Sequence, residues 1–505
     1  MKIIAYDLGT GGVKASLYDS ELNTLAKSFI EYNTIYPAPN VHEQRPLDWW
    51  DGVIRSTKVL LETSSTSGSE IGALALSGHS LVTVPVDSSG NLLLDRVPIW
   101  SDTTAAEEAR DFFRRIDPDR WYMETGNGFP AACYSLFKLN HLKNTDPALF
   151  SKIYKVLGSK DYINYKLTGE MATDHSYASG CGGYSLERHD LVLDFFGAAE
   201  LNPAIFPEIV PSHTMIGKIC AAAAAETGLP TGIPVACGGV DNACMALGAV
   251  GAEEGKVYLS LGSSSWIPVN SSTPILDSVK KPYVFAHIAE GLYTSAFSIF
   301  SGGSSLKWVR DVLCGDIAGE PDAFAKMDAL AAASAPGTGG VFFNPSLAGG
   351  TSQDKSPNIR GGYIGLSLGT TKEDLIRAAM EGIAMNLKMS YDFLMEKTEP
   401  TGGLLICGGG SKSKFWLQLF ADIFGVDIIK TNIDQDAASI GAAAIAARAC
   451  GLWNDYSGIG ALHKTELICN PDPNLTALYG KLLSEFAYLS EVLSDAGDHM
   501  KNLRT

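Results

Sequence analysis

A short pattern that occurs twice constrains the fold of this chain more than any other feature. Residues 5–13 read AYDLGTGGV, and residues 258–266 read YLSLGSSSW. Each copy is an apolar stretch, then Leu-Gly followed by Thr or Ser, then small residues and a second apolar stretch. This order predicts two strands joined by a tight turn. Because the copies lie about half a chain apart, we expect two domains, each opened by one such hairpin, that together clamp a polyphosphate.

The length of the chain and the alternation of its elements also indicate two α/β domains. A chain of 505 residues exceeds one ordinary core. Apolar runs and turn residues predict strands at 2–7, 13–19 and 71–78, a helix at 46–62, and a further hairpin at 82–94. Strands that alternate with helices are typical of α/β proteins. We expect the boundary near residues 245–255, which gives domains 1–246 and 247–505.

The second half contains a strand that runs into three glycines at residues 404–410, followed by a helix at 412–425. Such a unit is typical of a nucleotide held against backbone amides. Its spacing matches neither a Walker A loop nor a dinucleotide fingerprint. A small-residue helix at 436–451 is expected to pack behind it. A long helix is predicted at 370–396, begun by a capping box of Thr370 and Glu373.

Charge and cysteine usage limit the partners and the location. The formal net charge is −17, which repels the phosphates of nucleic acid and anionic lipid. No apolar run reaches the length of about 18 residues that a membrane span needs, and the N-terminus lacks the apolar core of a signal peptide. The nine cysteines are scattered, odd in number and free of any CxxC pair. We therefore expect reduced thiols in a cytoplasmic protein that binds neither nucleic acid nor membrane.

Three segments carry a family resemblance: FPAACYSLFKLNHLKN at 129–144, CGGVDNACMALGAVG at 237–251 and GYIGLSLGTTKEDLIRAAME at 362–381. With them the chain resembles the FGGY carbohydrate kinases, from residue 1 to about residue 453, except that His141 stands where the family usually has Trp. The resemblance implies two actin-like (ribonuclease H-like) α/β ATPase domains with an interdomain cleft. It also implies that the N-terminal domain binds a sugar and the C-terminal domain binds ATP.

The resemblance implies that Asp241 is the general base of phosphoryl transfer. A carboxylate within hydrogen-bond reach can accept the proton of a sugar hydroxyl as that hydroxyl attacks phosphorus. From the residues alone, Asp241 is equally suited to cap a helix at 242–250. Asp7 is implied to help hold Mg²⁺, through water, near the phosphates of ATP. The alternative, that Asp7 only accepts hydrogen bonds from turn amides, stays open.

The remaining candidates fall into ATP and sugar groups. The resemblance implies that phosphate contacts come from backbone amides and hydroxyls of both hairpins and a third loop, and that a glycine-rich segment lines the adenosine site. These residues are Thr10, Gly11, Gly12, Lys14, Gly262, Ser263, Gly303, Gly409, Gly410 and Ser413. The sugar candidates are His79, Ser80, Leu81, Trp100, Asp102 and Asn242. For Lys14 a solvated surface position, and for His79 and Trp100 plain packing, are the alternatives.

The resemblance implies a pentulose as the sugar, although the substrate loop departs from that of the familiar xylulose kinases. Ser80 and Leu81 stand where familiar xylulose kinases carry Met-His and where glycerol kinases carry Arg-Glu, and Thr104 replaces a frequent Arg. The remaining pattern is similar to the xylulose-kinase-like branch, so xylulose or ribulose is expected first, with a hexulose, a deoxy sugar or a polyol left open. Relatives of this length suggest a homodimer. A chaperone of the same superfamily and a non-catalytic sugar-binding regulator are the rival interpretations.

Overall fold

The chain is built from two halves, each with a seven-stranded sheet. The computed structural model describes residues 1–503. The strands of the first half are β1 Lys2–Gly9, β2 Gly12–Tyr18, β3 Thr24–Glu31, β4 Ile35–Ala38, β5 Val41–Gln44, β6 Ile71–Gly78, β7 Val84–Val86, β8 Val97–Pro98, β9 Lys155–Leu157, β10 Ala172–Asp174, β11 Tyr184–Ser185, β12 Asp190–Leu191, β13 Glu208–Val210, β14 Met215–Lys218, β15 Pro234–Ala236 and β16 Gly239–Val240. Its helices are α1 Pro46–Thr63, α2 Ala106–Phe112, α3 Pro118–Thr125, α4 Ser135–Thr145, α5 Pro147–Phe150, α6 Ser159–Thr168, α7 His175–Ala178, α8 Leu193–Ala198, α9 Ala221–Thr227 and α10 Asp241–Val250.

The second half continues the same alternation. Its strands are β17 Tyr258–Leu261, β18 Ser265–Ser271, β19 Tyr283–Ala286, β20 Tyr293–Ile299, β21 Phe342–Asn344, β22 Gly362–Ile364, β23 Leu404–Cys407, β24 Ile428–Thr431 and β25 Thr465–Cys469. Its helices are α11 Gly302–Leu313, α12 Ala323–Ala333, α13 Lys372–Met395, α14 Lys414–Phe424, α15 Ala437–Ala449, α16 Ile459–Leu462 and α17 Pro473–Met500. No helix within residues 1–503 is both long and apolar enough to cross a membrane.

The two main sheets repeat one topology. The first sheet runs β3-β2-β1-β6-β15-β14 with β16 also paired to β6, and the second runs β20-β18-β17-β23-β24-β25 with β19 added beside β20. Read in these orders, successive neighbours in both sheets pair antiparallel, antiparallel, parallel, parallel and antiparallel. The hairpins β1–β2 and β17–β18 therefore occupy equivalent places, and the repeated sequence pattern marks a repeated fold.

The central strand β1 shows why its sequence is almost continuously apolar. Ile4, Tyr6 and Leu8 point into the hydrophobic cluster that α1 covers. Ile3 and Ala5 point to the opposite face, into a cluster that includes α10 and α15. Because side chains alternate between the two faces of a strand and both faces are buried, polar alternation is absent here.

The helices α10 and α15 join the two halves. They cross with backbone contact, since a Cβ on Gly248 would lie 1.8 Å from the carbonyl oxygen of Ala437, and one on Gly441 would lie 2.0 Å from that of Cys244. Only glycine fits at both places. The small-residue helix predicted at 436–451 is thus confirmed as α15, which also packs on β1 and β6. The predicted domain boundary between residues 246 and 247 falls inside α10 and stays a prediction.

Two local predictions are wrong in detail. The hairpin expected at 82–94 forms a single bridge between Val86 and Leu92, because β7 pairs along its length with β9 instead. The capping box at the start of α13 uses Thr371 and Asp374, one residue later than expected. Thr370 is occupied elsewhere, since its hydroxyl accepts a hydrogen bond from the Ser367 amide in the preceding turn.

Candidate active site

Two carboxylates interact electrostatically, Asp7 near the end of β1 and Asp241 at the start of α10. Asp7 is buried and accepts a 2.9 Å hydrogen bond from the Ser77 hydroxyl on the neighbouring strand β6. Asp241 is the first residue of α10, and its Oδ1 accepts a 2.8 Å hydrogen bond from the Asn242 amide. Burial, together with the negative charge of Asp7, raises the pKa of Asp241 to about 7. A proton or a cation between these two groups is therefore favoured.

The pKa of Asp7 is also raised by burial, against the opposing charge of Lys14. Lys14 lies directly opposite Asp7 in the β1–β2 register, half-buried, so it is not a freely solvated lysine. Asn242, the other polar neighbour of the base candidate, is half-buried at the start of α10.

Side chains from two other segments form hydrogen bonds to the first turn, between β1 and β2. The side-chain amide of Gln44 donates to the Thr10 carbonyl at 2.7 Å, and the Trp100 indole donates to the Thr10 hydroxyl at 3.1 Å. A Cβ on Gly12 would lie 2.6 Å from the carbonyl oxygen of Ile30, so only glycine allows β3 to pass beneath the turn. The amides of Thr10 and Gly11 are thereby presented on a fixed, partly exposed loop. Gln44 is a support that sequence reasoning missed.

The carboxylate of Asp102 is engaged by its own surroundings. It is buried, its Oδ2 accepts from the His42 amide at 2.9 Å, and its Oδ1 accepts from the amide and hydroxyl of Thr104 at 3.1 and 2.6 Å. Thr104 thus makes two hydrogen bonds at the position where the family frequently has Arg. Each carboxylate oxygen retains lone-pair capacity for a further donor.

The residues after β6 separate into a polar and an apolar part. His79 is buried and its Nδ1 lies 3.0 Å from the Leu8 carbonyl, which assigns the proton to Nδ1 and leaves Nε2 as an acceptor without a partner in residues 1–503. Burial lowers the pKa of His79 to about 4, so the ring is neutral. Ser80 is buried beside it. Leu81 has a φ of 60° and packs into a hydrophobic cluster, so its side chain serves the core.

A buried lysine links the two segments of sugar candidates. The Lys138 ammonium donates to the carbonyls of Leu81 and Ile99 at 2.9 and 2.6 Å. Burial lowers its pKa to about 8. Sequence reasoning matched Lys138 only to a family signature and gave it no role, although a lysine within the apolar run SLFKL is itself a signal of a buried cation.

The second turn, between β17 and β18, is closed by the start of α11. The Gly303 and Ser304 amides donate to the carbonyls of Gly262 and Ser263 at 2.9 and 3.0 Å. A Cβ on Gly303 would lie 2.4 Å from the Gly262 oxygen, so glycine is required for this contact. The structure thus brings Gly262, Ser263 and Gly303 together at a helix N-terminus, where the helix dipole favours an anion.

The glycines after β23 lie against the same hairpin. A Cβ on Gly410 would lie 2.5 Å from the Leu261 side chain, whereas Gly409 is exposed with open space around it. The Ser413 hydroxyl accepts from the Trp416 amide at 2.9 Å and so caps α14. Asp434, which sequence reasoning missed, accepts from the Gly408 amide at 2.8 Å and fixes this loop.

The first turn makes no hydrogen bond to the second within residues 1–503. The Asp241 carboxylate interacts electrostatically with Asp7 of β1 and with Tyr258 of β17. A cavity of about 680 Å³ lies elsewhere, at the C-terminal ends of α10 and α15, and none of the candidates lines it. The described residues hold no group of three or more His, Cys, Asp or Glu side chains arranged to bind a metal.

The repeated α/β fold carries the buried Asp7 and the half-buried Asp241, and comparison with known proteins identifies the family that shares it. The N-terminal domain of the FGGY family of carbohydrate kinases matches residues 2–248, and the C-terminal domain of that family matches residues 257–450. The chain belongs to the FGGY family of carbohydrate kinases.

Individual relatives agree along nearly the whole chain. A xylulose kinase from Staphylococcus xylosus is 28% identical over 456 residues, which are 90% of this chain and 92% of that protein. A xylulose kinase from Bacillus subtilis strain 168 is 28% identical over 89% of this chain and 88% of its own. The crystal structure of xylulose kinase from Rhodospirillum rubrum superimposes with a TM-score of 0.89 at 28% identity, covering 99% of this chain and 100% of that one.

These findings confirm the family, the two-domain α/β fold and the enzyme class predicted from the sequence. The protein is a phosphotransferase with an alcohol group as acceptor, and its substrates are ATP and a small carbohydrate. The chaperone and the non-catalytic regulator are not supported.

Proposed function

We propose that this enzyme transfers the γ-phosphoryl group of ATP to a hydroxyl of a pentulose, with xylulose as the first substrate to test. The xylulose kinases among its relatives support this choice. A glycerol kinase from Thermococcus gammatolerans is 29% identical, but the Arg-Glu pair expected of glycerol kinases is absent at Ser80 and Leu81. Ribulose is the nearest alternative, followed by a hexulose, a deoxy sugar or a polyol.

The observation that carries the mechanism is the carboxylate of Asp241, half-buried between the two halves with a pKa of about 7. A base works best when its pKa lies near the operating pH, since it is then largely deprotonated yet still basic. Asp241 accepts the proton of the attacking sugar hydroxyl. The sugar oxygen forms its bond to the γ-phosphorus as the bond to the β-phosphate oxygen breaks, and ADP leaves.

The phosphates are held from both halves in this proposal. Amides and hydroxyls of the first turn (Thr10, Gly11, Gly12) and the charge of Lys14 act from one side. Gly262, Ser263 and the N-terminus of α11 at Gly303 act from the other. Gly409, Gly410 and Ser413 line the adenosine side. Donors fixed in advance stabilise charge on the leaving phosphate without reorganisation.

Mg²⁺ fits beside the carboxylate of Asp7. This ion uses few protein ligands and keeps several waters, so one carboxylate next to the substrate phosphates suffices. The pKa of Asp7, raised chiefly by burial, indicates a place where added positive charge is favourable. Asp7 would hold the ion through water, and the ion would supply charge neutralisation at the phosphates.

The sugar is assigned to the N-terminal half. The free Nε2 of neutral His79 is suited to accept a hydroxyl proton, and Trp100 offers an apolar ring beside Thr10. Ser80, Asn242 and the remaining lone pairs of Asp102 complete the set, while Leu81 contributes through its backbone. ATP is assigned to the C-terminal half. A cytoplasmic location and a homodimer remain part of the proposal.

The test is ADP release by wild type and Asp241→Asn with a panel of ketoses and polyols. Loss of the general base is expected to lower kcat by about 10² to 10⁴-fold with folding retained. Asp95→Asn, an exposed carboxylate of the same half, is the control and should leave kcat unchanged. Wild-type turnover by Asp241→Asn would remove the base, and a preference for glycerol over every ketose would remove the pentulose.

A further inference from the structure

A fully buried ion cluster lies behind the segment that carries Asp241. The Lys160 ammonium is 2.6 Å from Asp161 Oδ1 and 3.0 Å from Asp174 Oδ1, and all three side chains are at most 1% exposed. Burial opposes the charge on Lys160, but the two carboxylates outweigh it and raise its pKa. Because buried ion pairs stabilise a fold poorly relative to apolar packing, this cluster calls for a role beyond stability.

The cluster reaches the base through one serine. Asp174 Oδ2 accepts hydrogen bonds from the hydroxyls of Ser176, at 2.5 Å, and Ser212, at 2.8 Å. Since the Ser176 proton is directed to Asp174, the lone pairs of its oxygen are free, and the Val240 amide donates to that oxygen at 3.0 Å. Val240 is the residue immediately before Asp241.

The segment that precedes Asp241 is also anchored by hydrogen bonds at Cys237 and Gly238. The Asn164 side chain donates to the Cys237 carbonyl at 2.8 Å, and the Gly238 amide donates to the Ser212 carbonyl at 3.0 Å. The Ser176 contact is therefore the last side-chain anchor before the candidate base. The hydroxyl of Ser212 binds the same carboxylate oxygen as that of Ser176, but it does not contact Val240.

We propose that Ser176 is a positioning residue for Asp241: its hydroxyl, oriented by the Lys160–Asp174 ion pair, fixes the backbone at Val240 and with it the direction of the Asp241 carboxylate. This inference rests on the proposed role of Asp241 as the base. Ser176 itself is fully buried.

The expected effect follows from the geometry. Ser176→Ala leaves the buried Val240 amide without an acceptor, and a buried unpaired donor drives local rearrangement. A displacement of about 1 Å at a reacting group costs on the order of a hundredfold in rate. Turnover should therefore fall, whereas the KM values for ATP and sugar should change little.

The experiment compares Ser176→Ala, Ser176→Cys, Ser212→Ala and Asp241→Asn with the wild-type enzyme. We measure kcat, the KM values for ATP and xylulose, and the melting temperature. Ser176→Ala is expected to lose about 10 to 100-fold in kcat, with both KM values close to those of the wild type. Ser176→Cys, which keeps a weak donor and acceptor, should lie between Ala and wild type. Ser212→Ala should lower the melting temperature but keep the wild-type kcat.

The outcomes separate this inference from the proposed function. Activity retained by Asp241→Asn removes the base and the inference with it. An inactive Asp241→Asn combined with wild-type kcat in Ser176→Ala overturns the inference alone, as does an equal kcat loss in Ser212→Ala. Where Ser176→Ala yields no folded protein, Ser176→Cys decides: reduced kcat beside an unchanged Ser212→Ala supports positioning, and wild-type kcat refutes it.

Discussion

The hairpins β1–β2 and β17–β18 hold equivalent places in the two sheets but carry different chemistry. Asp7 in the first hairpin corresponds to Ser260 in the second. A strand, β3, passes beneath the first turn, whereas the N-terminus of α11 closes the second. The two copies of this element therefore differ in what they bring to the site: the first hairpin carries the Asp7 carboxylate, and the second is joined to the N-terminus of α11.

The largest expected effect tests the carboxylate. Asp7→Asn keeps the side-chain shape and an acceptor for Ser77 but removes the charge, so kcat should fall by about 10² to 10³-fold. Ser260→Ala, the same position in the other hairpin, should stay within about twofold, since a hydroxyl supplies no such charge. Steady-state kinetics with ATP and xylulose measure both. Equal losses of kcat in the two variants would show that the two positions contribute equally to turnover.

The second effect tests what lies under each turn. Gly303→Ala forces a methyl group against the Gly262 carbonyl and separates α11 from its turn, so the KM for ATP should rise about tenfold. Gly12→Ala instead collides with β3 and should lower the free energy of unfolding by about 1 to 3 kcal/mol. Nucleotide titration and urea unfolding distinguish the two variants. An unchanged KM in Gly303→Ala would contradict an anion site at α11.

The smallest expected effect tests whether the charge of Asp7 contributes to the raised pKa of Asp241. Asp241 must be deprotonated to act as a base, and its pKa is raised to about 7 by burial and by Asp7. The wild-type kcat/KM should therefore rise with pH and level off above about 7. Asp7→Asn should move this limb to lower pH by about half a unit to one unit, because one of the two causes is removed. A limb that stays in place, measured on the residual activity, would assign the shift to burial alone.

Local patterns allowed the two hairpins to be predicted from the sequence, because the turn glycine and the apolar flanks of each lie within nine positions. Asp241 was named as the base only through the family resemblance, since the residues alone suit a helix cap equally well. The capping box of α13 was misplaced by one residue because both Thr370/Glu373 and Thr371/Asp374 satisfy the same spacing. Only the competing turn at Ser367 decides between them, and that turn is visible in the structure alone.

Contacts between distant segments could not be predicted. Ser176 and Val240 lie 64 positions apart, and their hydrogen bond depends on how α7 packs beside β16. Leu81 was predicted to be a residue of the substrate loop, yet its left-handed backbone directs the side chain into the core. The partner of β7 is likewise a strand some 70 residues later, so the run at 82–94 carried no local sign of it.

The crossing of α10 and α15 limits how the two halves can move. Because Gly248 and Gly441 each face a backbone oxygen of the other helix, the separation of the helices is set by main chain, and no rotamer change can widen or narrow it. Sliding one helix along the other would drive one peptide group into another, whereas rotation about this point would not. The crossing is therefore a fixed pivot, and a small rotation of one half about it produces a large change in distance at the outer edges of the two sheets.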